Sequence, residues 1–156
     1  PATVLPLNLM PTDFGTGQPI FPAGQPPGAT GGTVRNGRYG PTRVDVYGQA
    51  NAPAFAVNQL TFEFSDGFVQ VGYQAFIGTG AVLGSPEISF VGTVTSAGTS
   101  LRFDVDGCAA PGDCSAFGDV ACDVPASVAY SATANSLVVF QPSSDGSTVV
   151  TTYSRQ

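Results

Sequence analysis

Hydrophobic and polar residues alternate along most of the chain after residue 32. In the segment 59–64, for example, Leu60, Phe62 and Phe64 fall on one face, and the residues between them are polar. A period of two places the two classes on opposite faces of a β-strand. The same alternation predicts strands over 42–47, 59–64, 68–77, 87–95, 100–105, 127–131, 136–141 and 148–154.

Short turn signals separate these predicted strands. Asp66-Gly67 and Asp145-Gly146 are typical of two-residue hairpin loops, and Ala97-Gly98 marks a third turn. No apolar stripe with the helical period of 3.6 residues interrupts the series. Regularly spaced short strands therefore predict an all-β fold, either an antiparallel up-and-down β-barrel or a sandwich of about eight strands.

The first 32 residues have a different composition. They hold 7 of the 13 Pro and 6 of the 20 Gly, which excludes a helix or a central strand. We therefore divide the chain into an extended N-terminal arm (1–32), whose end 24–32 resembles a linker, and an antiparallel β domain (33–156). Apolar residues between the first prolines suit the arm for docking on a protein surface, and they are Val4, Leu5, Leu7, Leu9 and Met10.

Composition then excludes several classes of function. The 156 residues include no His and no Lys, so neither a histidine-based catalytic triad nor a lysine Schiff base is available. The net charge is −6, and five scattered Arg residues cannot neutralise a phosphate backbone, which argues against nucleic acid as a partner. Glu63 and Glu87 could in principle serve a carboxylate hydrolase, but a solvated strand face explains them better. We predict a non-catalytic protein.

Three cysteines lie close together in the sequence, at Cys108, Cys114 and Cys122. In an acidic chain rich in Thr, Ser and Gly, they indicate one disulfide with one thiol left over. The alternative is three buried thiols in a reduced protein. The oxidised interpretation predicts an extracytoplasmic protein.

The same region is rich in aspartate and glycine. Asp104, Asp106 and Asp113 make a weak candidate calcium site, since calcium prefers oxygen ligands on Gly-rich loops. No glutamate closes the loop, and Asp104 and Asp106 are alternate residues of a predicted strand. A solvated acidic loop is the favoured interpretation, and no cofactor is expected.

Two motifs resemble those of a known family. Gly37-Arg38-Tyr39 is similar to the opening Gly-x-Trp of the lipocalin-like (calycin) barrels, with Tyr in place of Trp. Arg155 resembles the C-terminal arginine that packs across that aromatic ring. The hairpins also resemble those of small β-rich secreted bacterial lipoproteins. The resemblance covers residues 37–156 and implies a barrel that holds small apolar molecules.

Two functions follow from these observations. The first is a structural or accessory subunit of a cell-surface or envelope assembly, with other protein subunits, identical or different, as partners of the arm. The second is a lipocalin-like carrier of a small apolar ligand. Its cavity would be lined by Phe62, Phe64, Val71, Tyr73, Phe90 and Phe103.

Overall fold

The computed structural model describes residues 20–48, 56–77, 81–82, 88–108, 127–143 and 146–156, with the backbone alone at 56–60, 72–77, 81–82, 88–91 and 105–108. These residues form nine β-strands and no helix, which confirms the predicted all-β class. The strands are β1 (Gly37–Tyr47), β2 (Ala56–Ser65), β3 (Phe68–Ile77), β4 (Ala81–Val82), β5 (Ile88–Ala97), β6 (Ser100–Cys108), β7 (Ser127–Ala132), β8 (Ser136–Pro142) and β9 (Thr148–Arg155).

The strands close into one ring. Eight of them pair antiparallel with two neighbours each in the order β1-β9-β8-β7-β6-β5-β3-β2, and β2 returns to β1. The two-residue β4 pairs with the end of β3, on the same side as β5. Apart from β4, each strand neighbours the ones before and after it in the chain, so the structure is the up-and-down barrel of the two predicted arrangements.

β1 starts five residues before the predicted strand, at Gly37 instead of residue 42. Gly40 and Pro41 break the alternation in the sequence, which hides the first part of the strand. The structure accommodates them with a β-bulge between Pro41 and Arg43, where Thr42 has no register partner on β9 and its hydroxyl donates to the Thr152 carbonyl at 3.2 Å.

Two junctions of the ring are short. β1 and β2 share only three register pairs (37–39 with 62–64), and β6 and β7 also share three (100–102 with 127–129). The strands β1, β2 and β6 nevertheless have 11, 10 and 9 residues. We call these two junctions the seams. Four strands separate them on either side of the ring, so the seams lie opposite each other.

The interior near the turns is filled by side chains. Phe62 is fully buried, and its ring lies 5.5 Å from Phe64, 5.7 Å from Phe103 and 5.2 Å from Tyr153, measured between centroids. These separations are those of favourable aromatic pairs. Around this cluster pack further buried residues from the other strands, namely Tyr39, Val69, Val71, Leu101, Val128, Tyr130, Leu137 and Val139.

The end of the barrel that carries the tight turns is closed by residues 31–36. The Tyr130 hydroxyl donates a hydrogen bond to the Gly32 carbonyl at 2.6 Å, and the Tyr39 hydroxyl donates to the Arg35 carbonyl at 3.0 Å. The Asn36 side chain exchanges two hydrogen bonds with Asp66 in the β2–β3 turn. This segment therefore satisfies tyrosine hydroxyls that are otherwise buried in an apolar core.

Candidate partner-binding site

The edge of β1 that faces β2 binds a residue of the arm. Beyond Tyr39, β1 and β2 no longer pair. Instead, the Ile20 amide donates to the Val44 carbonyl at 2.9 Å, and the Val46 amide donates to the Ile20 carbonyl at 2.8 Å. Ile20 thus adds to β1 as a parallel bridge opposite Asp45. We call the backbone edge of residues 44–46 on this side the β1 slot.

Ile20 and Phe21 face opposite sides of the barrel wall. On β9, Val149, Thr151 and Tyr153 are alternate residues, so they share one side of the sheet, and Tyr153 belongs to the core. Val44 and Val46 are the cross-strand partners of Thr151 and Val149, so both valines also face the interior. Phe21 packs against this group together with Val149. Ile20, by contrast, is 45% exposed on the outside. We call residues 20–21 the first anchor, because one residue bonds the wall and the next fills the interior.

The slot carries no uncompensated charge. Asp45 lies between the two slot valines and is only 6% exposed. The Arg43 guanidinium donates from Nε to both of its carboxylate oxygens, at 2.9 and 2.8 Å. This pairing neutralises a carboxylate that would otherwise oppose the docking of an apolar segment.

A second anchor lies at the opposite seam. The Gly31 amide donates to the Tyr130 carbonyl and the Ala132 amide donates to the Gly31 carbonyl, both at 2.8 Å, so Gly31 runs parallel to β7. Its backbone has a φ of +70°, and a Cβ there would overlap the carbonyl oxygen of Gly98. Only glycine fits such a close approach in the left-handed region. We call residues 31–36 the second anchor.

Residues 22–30 connect the two anchors. Within this connector, residues 22–29 make no hydrogen bond to any described residue, and most of them are exposed. Thr30 donates from its amide to the Ser131 hydroxyl at 2.9 Å, next to the second anchor. The connector therefore spans half of the ring and is bound to the barrel only at its ends.

The apolar arm residues predicted to bind a partner, Val4, Leu5, Leu7, Leu9 and Met10, lie outside the described residues. Both anchors were missed in the sequence: residues 24–32, which include Gly31, had the composition of a linker, and Ile20 and Phe21 were assigned to the arm without a position on the β domain. Two signals were present: the apolar pair Ile20-Phe21 between Pro19 and Pro22, and the adjacent glycines 31 and 32.

The residues predicted to line a ligand cavity separate into two groups. Phe62, Phe64, Val71 and Phe103 are buried and belong to the packed core. The structure describes only the backbone of Tyr73 and Phe90, which lie in β3 and β5. A cavity lined by all six residues stays a prediction.

The candidate calcium and disulfide residues are described only in part. Asp104 is exposed on β6, and Asp106 is the extra residue of a β-bulge opposite Val91 and Gly92. Asp113, Cys114 and Cys122 lie outside the described residues, and Cys108 ends β6. No group of three or more potential metal ligands occurs among the described residues. The calcium site and the disulfide stay predictions.

The residues that carry the family resemblance do lie together. Arg155 is the cross-strand partner of Tyr39, and its Nε donates to the Asn36 carbonyl at 2.8 Å. An alanine-sized side chain at Gly37 would come within 2.9 Å of the same guanidinium. Arg155 therefore holds the second anchor at the entry of β1.

Comparison with known proteins adds no relative: no family model, no curated protein and no solved structure matches this chain. In the described part of the chain, no helix has the length and apolar character needed to span a membrane. Membership of the lipocalin-like family is therefore a prediction that the comparisons do not address.

Proposed function

We propose that this protein is a non-catalytic, extracytoplasmic subunit of a cell-surface or envelope assembly, docking through its N-terminal arm. The observation that supports the proposal most directly is the β1 slot, where the strand edge at Val44 and Val46 binds Ile20 through backbone hydrogen bonds. A strand edge that accepts an added segment is a recurring mode of recognition between protein chains.

The chemistry of the slot explains how docking can be both strong and selective. Backbone hydrogen bonds supply affinity for any extended segment, while an interior pocket beside Val44, Val46 and Val149 selects an aromatic side chain such as Phe21. An empty slot would leave unpaired backbone groups at a sheet edge, which favours association. We infer that the apolar residues of the arm upstream of residue 20 make further contacts with the partner.

The sequence also supports a structural role. A chain without His or Lys, with 10% charged residues, lacks the common nucleophile-activating groups. Two ion pairs of the described residues belong to the barrel wall: Arg38 of β1 pairs with Glu63 of β2, and Arg43 pairs with Asp45 within β1. The cysteine cluster supports an oxidising compartment.

A variant of the arm tests this function in the organism that makes the protein. Changing Val4, Leu5, Leu7, Leu9 and Met10 together to serine removes the apolar contacts while the barrel stays intact. We expect the tagged variant to leave the high-mass complex on a native gel and to migrate as a free subunit. The loss should be at least tenfold in the bound fraction, since burial of one aliphatic side chain is worth about 1.5–3 kcal/mol.

A matched control changes only polar arm residues, Thr3, Asn8 and Thr12, to serine or glutamine. This control should assemble like the natural chain. If the five-residue variant still enters the complex in full, the arm does not carry docking and the proposed function is wrong.

A second candidate function is the binding of a small apolar molecule inside the barrel. Thr151 favours it: this residue faces the interior beside Val44, is 2% exposed, and its hydroxyl has no hydrogen-bond partner among the described residues. A ligand with one polar group could satisfy that hydroxyl. Native mass spectrometry of freshly purified protein should then show a bound small molecule that Thr151→Val weakens, and only ligand-free protein would argue against a carrier.

A further inference from the structure

We propose that the first anchor exchanges between two copies of this chain, so that Ile20 and Phe21 of one copy occupy the β1 slot of the other. This inference deepens the proposed function, on which it depends, by naming the partner of the slot as a second copy. The exchange would be reciprocal, giving a two-fold dimer in which both slots are filled.

The contacts of the first anchor do not depend on which copy supplies it. The two backbone hydrogen bonds of Ile20 go to Val44 and Val46, and Phe21 packs against side chains of β1 and β9. None of these groups is adjacent to the anchor in the chain. The same contacts form within one chain or between two. The equilibrium between closed monomer and exchanged dimer therefore depends on the connector and on the protein concentration.

The connector is longer than the path between the two anchors on one barrel, and this slack lets the first anchor leave its own slot. Measured along the wall, Ile20 beyond β1 and Gly31 beyond β7 are separated by about five strand spacings of about 4.8 Å, or about 24 Å. The ten peptide steps from residue 21 to residue 31 extend to about 33–36 Å at most. Prolines at 22, 26 and 27 favour extended conformations, which suits a segment that bridges a distance.

The second anchor holds each arm to its own barrel during exchange. Residues 31–36 lead directly into β1, and Gly31 is fitted against the backbone of Gly98 in the β5–β6 turn. Exchange therefore moves only residues before 31, and the closed end of each barrel keeps its hydrogen bonds from Tyr39 and Tyr130.

An open arm is unfavourable, which is why the partner must fill the slot. Withdrawal of the anchor from β1 would expose Phe21, Val44 and Val46 and leave the Val46 amide and the Val44 carbonyl unpaired. A reciprocal dimer leaves no slot empty. At a high local concentration, such as that of subunits held side by side in an envelope, the population of the exchanged dimer increases relative to the closed monomer.

Isotope mixing tests the exchange in the full chain. Unlabelled protein with a photo-crosslinking amino acid at position 20, an exposed site, is mixed with an equal amount of uniformly ¹⁵N-labelled natural chain. The mixture is concentrated to about 1 mM, the scale of an intramolecular effective concentration. After illumination, digestion and mass spectrometry, we expect crosslinks between unlabelled position 20 and labelled residues 43–47, increasing with concentration. Crosslinks confined to unlabelled peptides at every concentration would overturn the proposal.

Connector length provides a second test. Deletion of residues 23–28 leaves four peptide steps between residues 21 and 31, about 14 Å, too short to reach the slot of the same barrel. Sedimentation velocity should then show a dimer at concentrations where the natural chain is a monomer. The control replaces 23–28 by six Gly and Ser residues and should sediment like the natural chain.

The outcomes separate this inference from the proposed function. A monomeric deletion variant together with purely unlabelled crosslinks would exclude a second copy as the occupant of the slot. The arm could still dock on a different subunit, which the serine variant of residues 4–10 measures independently. If the serine variant loses assembly and no crosslinks form between copies, the proposed function is supported and only this inference is wrong.

Discussion

Replacement of Gly31 by alanine is expected to destabilise the protein by about 2–5 kcal/mol. Gly31 has a φ of +70°, where a Cβ costs about 1–2 kcal/mol, and the added carbon would also overlap the Gly98 carbonyl oxygen. Relief of that overlap requires a backbone shift, which typically costs about 1–3 kcal/mol. The loss is large against the total of about 5–15 kcal/mol for a folded domain. Equilibrium unfolding in urea measures it.

Gly28 provides the matched control for this substitution. It lies in the connector, and a Cβ built there meets nothing within 4 Å. Gly28→Ala should change the free energy of unfolding by less than about 1 kcal/mol and can raise it, because alanine restricts the unfolded chain. If both variants unfold at the same urea concentration, the close approach of the second anchor to Gly98 does not contribute to stability.

Truncation of Phe62 to alanine is expected to cost about 3–5 kcal/mol of unfolding free energy. Phe62 is fully buried, and its ring contacts three other aromatic rings from β2, β6 and β9. Alanine would leave a cavity at the point where these strands meet, and the surrounding barrel wall can collapse into it only in part. Thermal and urea unfolding both measure the change.

The same substitution at Phe68 provides a control on the surface. Its side chain is 53% exposed at the start of β3, so Phe68→Ala should cost about 0.5 kcal/mol or less. Phe62→Leu, which keeps most of the volume, should cost less than about 1.5 kcal/mol. A series in which Phe62→Ala is no worse than Phe68→Ala would contradict the assignment of Phe62 to the centre of the core.

The alternation of the strands was enough to predict the class of the fold. Phe62, Phe64 and Phe103 fall on the apolar face of their predicted strands, and the structure buries all three. The Asp66-Gly67 hairpin is also where the sequence placed it, with positive φ at both residues. Period and turn chemistry are local properties, so a single sequence contains them.

The anchors could not be predicted, because they depend on distant partners. Ile20 bonds β1 only where β1 and β2 part, and the alternation of those strands does not reveal how far they pair. Gly31 is constrained by Gly98, 67 residues away in the sequence (98 − 31). A segment rich in Gly and Pro, such as 24–32, has the same composition whether it is a free linker or packs against the barrel. Register between strands is a tertiary property.

The two seams give the barrel the mechanics of a pair of plates. One plate consists of β2, β3, β5 and β6, and the other of β7, β8, β9 and β1, joined along two lines of three register pairs each. Both backbone bridges made by the described arm residues attach to the second plate, at its β1 edge through Ile20 and its β7 edge through Gly31. Residues 20–31 therefore form a strap fixed to the two rims of one plate. A load that separates the plates can open the barrel while both bridges stay bonded, although the two Asn36–Asp66 hydrogen bonds to the first plate would break.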